Sequence, residues 1–134
     1  MKKHLILLIC ILTLSCSIED DTLSFQTEFI PIESVVIPEE FELGTTYEIS
    51  LNYIKPTNCH NFSDIFYSAN NNERTVAIIN SVVQNSNCIT LETELEATFG
   101  FKATEAGSYI FKFWQGKDDS GGDTYLIVEV PVIE

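Results

Sequence analysis

The sequence predicts an all-β fold, a sandwich or small barrel of short strands. Between Ile89 and Ala103 the odd positions are Ile89, Leu91, Thr93, Leu95, Ala97, Phe99, Phe101 and Ala103. The even positions between them are Thr90, Glu92, Glu94, Glu96, Thr98, Gly100 and Lys102. Period two puts the first set on one face of a strand, whereas a helix would scatter the three glutamates round its circumference. Tyr47, Ile49, Leu51 and Tyr53 alternate in the same way with Thr46, Glu48, Ser50 and Asn52. No stretch carries a sustained helical stripe, and no internal repeat is visible. Apolar residues make up 45% of the 134, with nine Phe and five Tyr, which is too hydrophobic for a disordered chain.

The first element is an address. Lys2 and Lys3 precede an apolar run from Leu5 to Leu14, then come Ser15 and Cys16. The run is too short to cross a bilayer as a helix, which takes about 20 residues. A basic start, a short apolar middle and a small residue before the cut define a secretory signal peptide over residues 1–15. The cysteine directly after that small residue resembles the lipobox of bacterial lipoproteins. Thr13 and Leu14 depart from it, standing where the family prefers leucine and a small residue. The resemblance implies that Cys16 becomes the mature N-terminus and carries several acyl chains, palmitate among them. One chain holds a protein to a bilayer only marginally, whereas two or more anchor it.

Residues 16–24 form an acidic linker. Its Glu19-Asp20-Asp21 resembles the surface-export signal of Bacteroidota-type lipoproteins, with a plain solvated linker as an equal alternative. The chain as a whole resembles the small lipoproteins of such bacteria. That resemblance implies an outer-membrane, lipid-anchored protein facing either the periplasm or the cell surface. Loss of residues 1–15 removes Lys2 and Lys3 and takes the formal charge from -13 to -15. A nucleic-acid partner is excluded as an expectation, because phosphate binding needs a basic stripe.

Residues 25–134 are expected to form one domain. Thr27 to Ile37 carries Pro31 and precedes Pro38, as an edge strand would. Phe62 to Ser68 is a short strand ending at Asn70-Asn71-Asn72, a run that tolerates left-handed backbone. Arg74 to Val83 is β-branched and mostly apolar. The fifteen residues 89–103 are long for one strand, so a break is expected near Gly100. A last strand runs from Asp123 to Val132, after a hairpin loop from Gly116 to Gly122.

With Cys10 in the signal and Cys16 lipidated, Cys59 and Cys88 remain, in a compartment that permits disulfides. A bridge between them closes about 30 residues, worth roughly 3–4 kcal/mol in the chain-entropy model. Cys59-His60 also suggests a thiol beside its base, but neighbours on an extended backbone point to opposite sides. The structural bridge is the reading adopted.

Thr104-Glu105-Ala106-Gly107-Ser108-Tyr109-Ile110-Phe111 resembles the acidic-x-Gly-x-Tyr-x-Cys signature of immunoglobulin-like domains. The resemblance implies an immunoglobulin-like antiparallel β-sandwich in which Tyr109 closes a corner between an E-like and an F-like strand. Phe111 stands where that family has its second cysteine, so the usual inter-sheet disulfide is missing.

If Tyr109, Phe111 and Phe113 face the core, then Ile110, Trp114, Tyr125 and Ile127 share the outer face of the last hairpin. Exposed apolar patches mark interaction sites, and Trp and Tyr are favoured anchors. The competing expectation, slightly preferred, is that another strand or the N-terminal segment covers the patch. Asp118, Asp119 and Asp123 put three carboxylates in one turn, but turn chemistry explains Asp and Gly there without a metal. No glycine-rich phosphate loop, HExxH or GxSxG is present, so neither catalysis nor a cofactor is expected. The expected function is that of an anchored binding or accessory lipoprotein with a protein or glycan partner. One alternative is a carbohydrate-binding module using Trp114 and Tyr125. A hydrolase using His60 and the Asp118/Asp119 pair is a remote one.

Overall fold

The computed structural model describes residues 24–84 and 87–134. The signal peptide, Cys16 and all of the acidic linker except Ser24 lie outside the described residues. Nine strands and no helix are present among the described residues. They are β1 (Phe25–Ile30), β2 (Ile32–Val36), β3 (Phe41–Glu42), β4 (Thr46–Thr57), β5 (His60–Asn70), β6 (Glu73–Val83), β7 (Thr90–Lys102), β8 (Gly107–Lys117) and β9 (Asp123–Ile133).

The strands form two sheets. One has three strands in the order β2-β4-β7. The other has six, in the order β1-β6-β8-β9-β3, with β5 on the remaining edge of β6. Strand β6 therefore pairs along its whole length with β5, while its opposite edge is shared. Ile78–Val83 pair with β1, and Glu73–Val76 pair with β8.

All-β architecture in two layers agrees with the expected sandwich. Its six-stranded sheet is mixed, since β6 runs parallel to β8 and β3 parallel to β9, whereas the three-stranded sheet is antiparallel. The first follows from chain path. After β6 the chain crosses to the other sheet for β7, and the return crossing brings β8 back in the original direction.

Three local expectations are corrected. The segment 27–37 is two strands, because Pro31 lacks the N–H that a continuous ladder requires. At that point the chain leaves β6 and joins β4 in the opposite sheet. Strand β7 runs unbroken through Gly100, which stays in register with Glu48 of β4. The last hairpin loop is shorter than expected, because Gly116 and Lys117 belong to β8 and only residues 118–122 turn. Gly116 sits at a register shift with φ +105°, a conformation that side chains disfavour.

The core lies between the sheets, built from the alternating positions. Ile49, Leu51 and Tyr53 of β4 and Ala97 and Phe101 of β7 meet Tyr109, Phe111 and Phe113 of β8, all buried. Phe111 lies 5.1 Å from Phe101 across the two sheets and stacks on Phe113 at 5.8 Å. Aromatic packing thus joins the layers at Phe111. The Cys59–Cys88 disulfide ties the β4–β5 turn to the chain just before β7. Beside it Asn58 takes part twice: its N–H donates to the Ile89 carbonyl, and its Oδ1 accepts the Ile89 N–H at 2.7 Å.

Candidate functional site

The site begins with two cross-strand neighbours on the outer face of the six-stranded sheet. Trp114 of β8 stands directly opposite Tyr125 of β9. Because Phe113 on the same strand points into the core, Trp114 must point out. Its indole N–H donates to Asp123 Oδ1 at 3.0 Å, and Lys117 Nζ donates to the same oxygen at 2.8 Å. One carboxylate thereby fixes the tryptophan ring and the lysine together. Asp123 is held below the ordinary carboxylate range by these bonds, that from Lys117 first and that from Trp114 second. Lys117 is raised in turn, chiefly by its bond to Asp123.

Two further rings complete the site. Phe29 of β1 lies 5.7 Å from Trp114, and Phe66 of β5 lies 5.6 Å from Phe29 in an edge-to-face arrangement. The aromatic residues border a trough of about 390 Å³ whose remaining lining includes the small side chains Ser68, Thr75 and Ala77. Small residues there give depth that a row of large side chains would fill. The volume falls near the lower end of the roughly 300–1,000 Å³ of small-molecule sites. Beyond the trough, Lys112 Nζ sits 4.7 Å from the Tyr125 ring centroid, a cation–π contact.

The four outward residues expected from the sequence are thus divided. Trp114 and Tyr125 line the trough. Ile127 shares the face but stands opposite Lys112, outside the lining and 62% exposed. Ile110 lies further along β8, between Glu129 of β9 and Glu73 of β6. Cover of the patch is partial: Phe29, from the N-terminal strand, packs on Trp114 but remains 45% exposed. Phe29 and Phe66 escaped the sequence reading, since no local pattern links residues so far apart in the chain.

Tyr109 is buried, and its hydroxyl accepts the backbone N–H groups of Thr104 and Glu105, each at 3.1 Å. A second corner went unread in the sequence. The Tyr47 hydroxyl accepts the N–H of Glu42 at 2.8 Å, with Gly44 between them at φ +84°. In Glu42–Tyr47 and Thr104–Tyr109 alike, a glycine at positive φ lets the chain fold back under the tyrosine. The signal available was a glycine shortly before an inward tyrosine, three residues before Tyr47 and two before Tyr109.

The remaining titratable groups stand apart from the trough. Cys59 is in the disulfide, so the Cys59-His60 pair has no free thiol. His60 is buried between Thr57, whose Oγ1 is 2.7 Å from Nδ1, and Glu28, whose Oε2 is 3.3 Å from Nε2. The Asp118 carboxylate closes its own turn, accepting from the Ser120 N–H and hydroxyl and from the Gly122 N–H. These bonds lower it, the Ser120 hydroxyl most. Comparison with protein-family models, with curated proteins and with solved structures returned no match.

Proposed function

We propose that this chain is a lipid-anchored, extracytoplasmic recognition protein. Cys16 tethers it to the outer membrane, and an immunoglobulin-like sandwich presents the aromatic trough. The observation that carries the reading is the trough itself, where rings from β1, β5, β8 and β9 converge beside the locked Asp123–Lys117 pair. Converging rings with a few polar groups are how small-ligand and anchor-residue sites are built. The immunoglobulin-like reading rests on the Tyr109 corner between β7 and β8, which lie in opposite sheets. The parallel β6–β8 pairing departs from that family's antiparallel sheets. The reading is non-catalytic, and neither His60 nor the Asp118/Asp119 pair lines the trough.

A sugar ring is the favoured small ligand under a second reading, because Ser68, Thr75 and Asp123 offer polar contacts beside Trp114 and Tyr125. The test is a glycan array combined with crosslinking on intact cells, using the full chain and Trp114→Ala. Mass spectrometry of the extracted protein reports acylation at Cys16. A glycan or crosslinked protein lost with Trp114→Ala supports the trough. Binding that survives both Trp114→Ala and Phe66→Ala rejects it, and an unacylated Cys16 rejects the anchor.

A further inference from the structure

The two sheets are unequal, and their mismatch is concentrated on one side. Strand β7 pairs only with β4, and β5 only with β6, so each has an edge without a strand partner among the described residues. Residues of both strands line a cleft of about 590 Å³. On its β5 wall Phe62 and Tyr67 belong to the inner face, as their ring contacts with Tyr53 and Phe99 establish. They are nevertheless 49% and 45% exposed. The three-stranded sheet is one strand too narrow to cover them.

The two edges differ in how they are protected. β5 is interrupted by a register shift between Phe62 and Asp64, a device that discourages further pairing. β7 runs 13 residues without a proline, and after a register shift between Thr90 and Thr93 it keeps one register with β4 from Thr93 to Lys102. Its outward row carries Glu92, Glu94 and Glu96, and none of the three makes an ion pair among the described residues.

We propose that the free edge of β7 accepts an extended segment of a partner polypeptide as a fourth strand of the β2-β4-β7 sheet. Main-chain hydrogen bonds supply the affinity and alternate side chains the selectivity, as in strand addition generally. Period two dictates the segment's chemistry. Its inward residues are apolar and cover Phe62 and Tyr67, and its outward residues are basic and flank Glu92, Glu94 and Glu96. A second copy of this chain does not meet that description, because paired β7 edges would set glutamate against glutamate. The site is separate from the aromatic trough and does not depend on it.

The test uses the full chain in detergent and a synthetic probe of 13 residues, matched to β7, that alternates valine with lysine. A valine–glutamate peptide and a scrambled valine–lysine peptide serve as controls. The alternating lysine probe should bind about tenfold tighter than either, the scale that a few exposed cross-strand charge pairs supply together. It should also slow amide exchange within residues 90–102. The triple variant Glu92→Lys/Glu94→Lys/Glu96→Lys should reverse the preference towards the glutamate peptide, while Trp114→Ala should leave it unchanged. Equal binding of the three peptides would overturn the proposal. So would protection confined to the trough, a preference that survives the charge reversal, or a β7-mediated dimer by sedimentation.

Discussion

The hydroxyl of Tyr109 accepts the backbone N–H of Thr104 at 3.1 Å, so a side chain of β8 holds the chain leaving β7. The same oxygen takes the Glu105 N–H, and the ring lies 4.9 Å from Phe101. One residue thus joins a corner of the backbone to the packing between sheets.

Tyr109→Phe keeps the ring and removes the acceptor for two N–H groups. Leaving such partners unsatisfied costs about 1–3 kcal/mol, and urea unfolding should register a loss of that size. Tyr47→Phe should cost less, because its corner is more exposed and has one bond. Equal stability of Tyr109→Phe and the parent would show that the corner bonds contribute nothing.

The Cys59–Cys88 bridge spans a separation of 29 residues. Replacing both cysteines by alanine should lower stability by roughly 3–4 kcal/mol, mainly through the freer unfolded chain. Reduction of the parent protein should reproduce the shift in urea midpoint, and should leave the double variant untouched.

The tip of the β8–β9 hairpin should depend on pH in two directions. Asp123 is depressed, chiefly by its bond from Lys117, and Asp118 chiefly by its bond from the Ser120 hydroxyl. A depressed carboxylate stabilises fully above its unfolded pKa and loses that contribution as pH falls through the folded value. Lys117 is raised, so its contribution is present below its unfolded pKa and is lost as pH rises through the folded one. The tip is therefore most ordered across the neutral range. These groups are exposed, so the effect should be small and weakened by salt. Trp114 is the only tryptophan, and its indole N–H resonance should shift on acidification below the ordinary carboxylate range. Asp123→Asn should abolish that shift.

Gly116→Ala should destabilise the protein by about 1–3 kcal/mol, the usual scale for a side chain held at a sparsely populated φ. The added methyl would also meet Pro31 Cγ at 3.4 Å, where the chain passes between sheets. Gly100→Ala is the control: that glycine lies inside β7, and its Cβ would meet only Thr46 Cγ2 at 3.8 Å. Thermal unfolding of the two variants should separate them clearly.

Much of the strand pattern was legible because alternation is local. Leu91, Leu95, Ala97, Phe99, Phe101 and Ala103 are buried or half-buried and the even positions between them exposed, as pleating requires of an extended chain. Ile89 and Thr93, expected on the same face, are exposed. The inward set Tyr109, Phe111 and Phe113 followed by the same rule, and with it the outward direction of Trp114. The left-handed turn came out at Asn71, within the asparagine run, with φ +53°. Strand lengths were harder, because a register shift such as that at Gly116 depends on the partner strand.

The sequence by itself determined the alternation that sends most inward side chains to the core, and the left-handed turn in the asparagine run at Asn71. Tertiary structure alone decided which strands are neighbours. Alternation assigns a side chain to a face but carries no information about the strand beside it. That neighbour is selected by packing over the whole sheet. Hence the parallel β6–β8 pairing, the switch of sheets at Pro31, and the arrival of Phe29 and Phe66 beside Trp114 emerge only when distant segments are brought together.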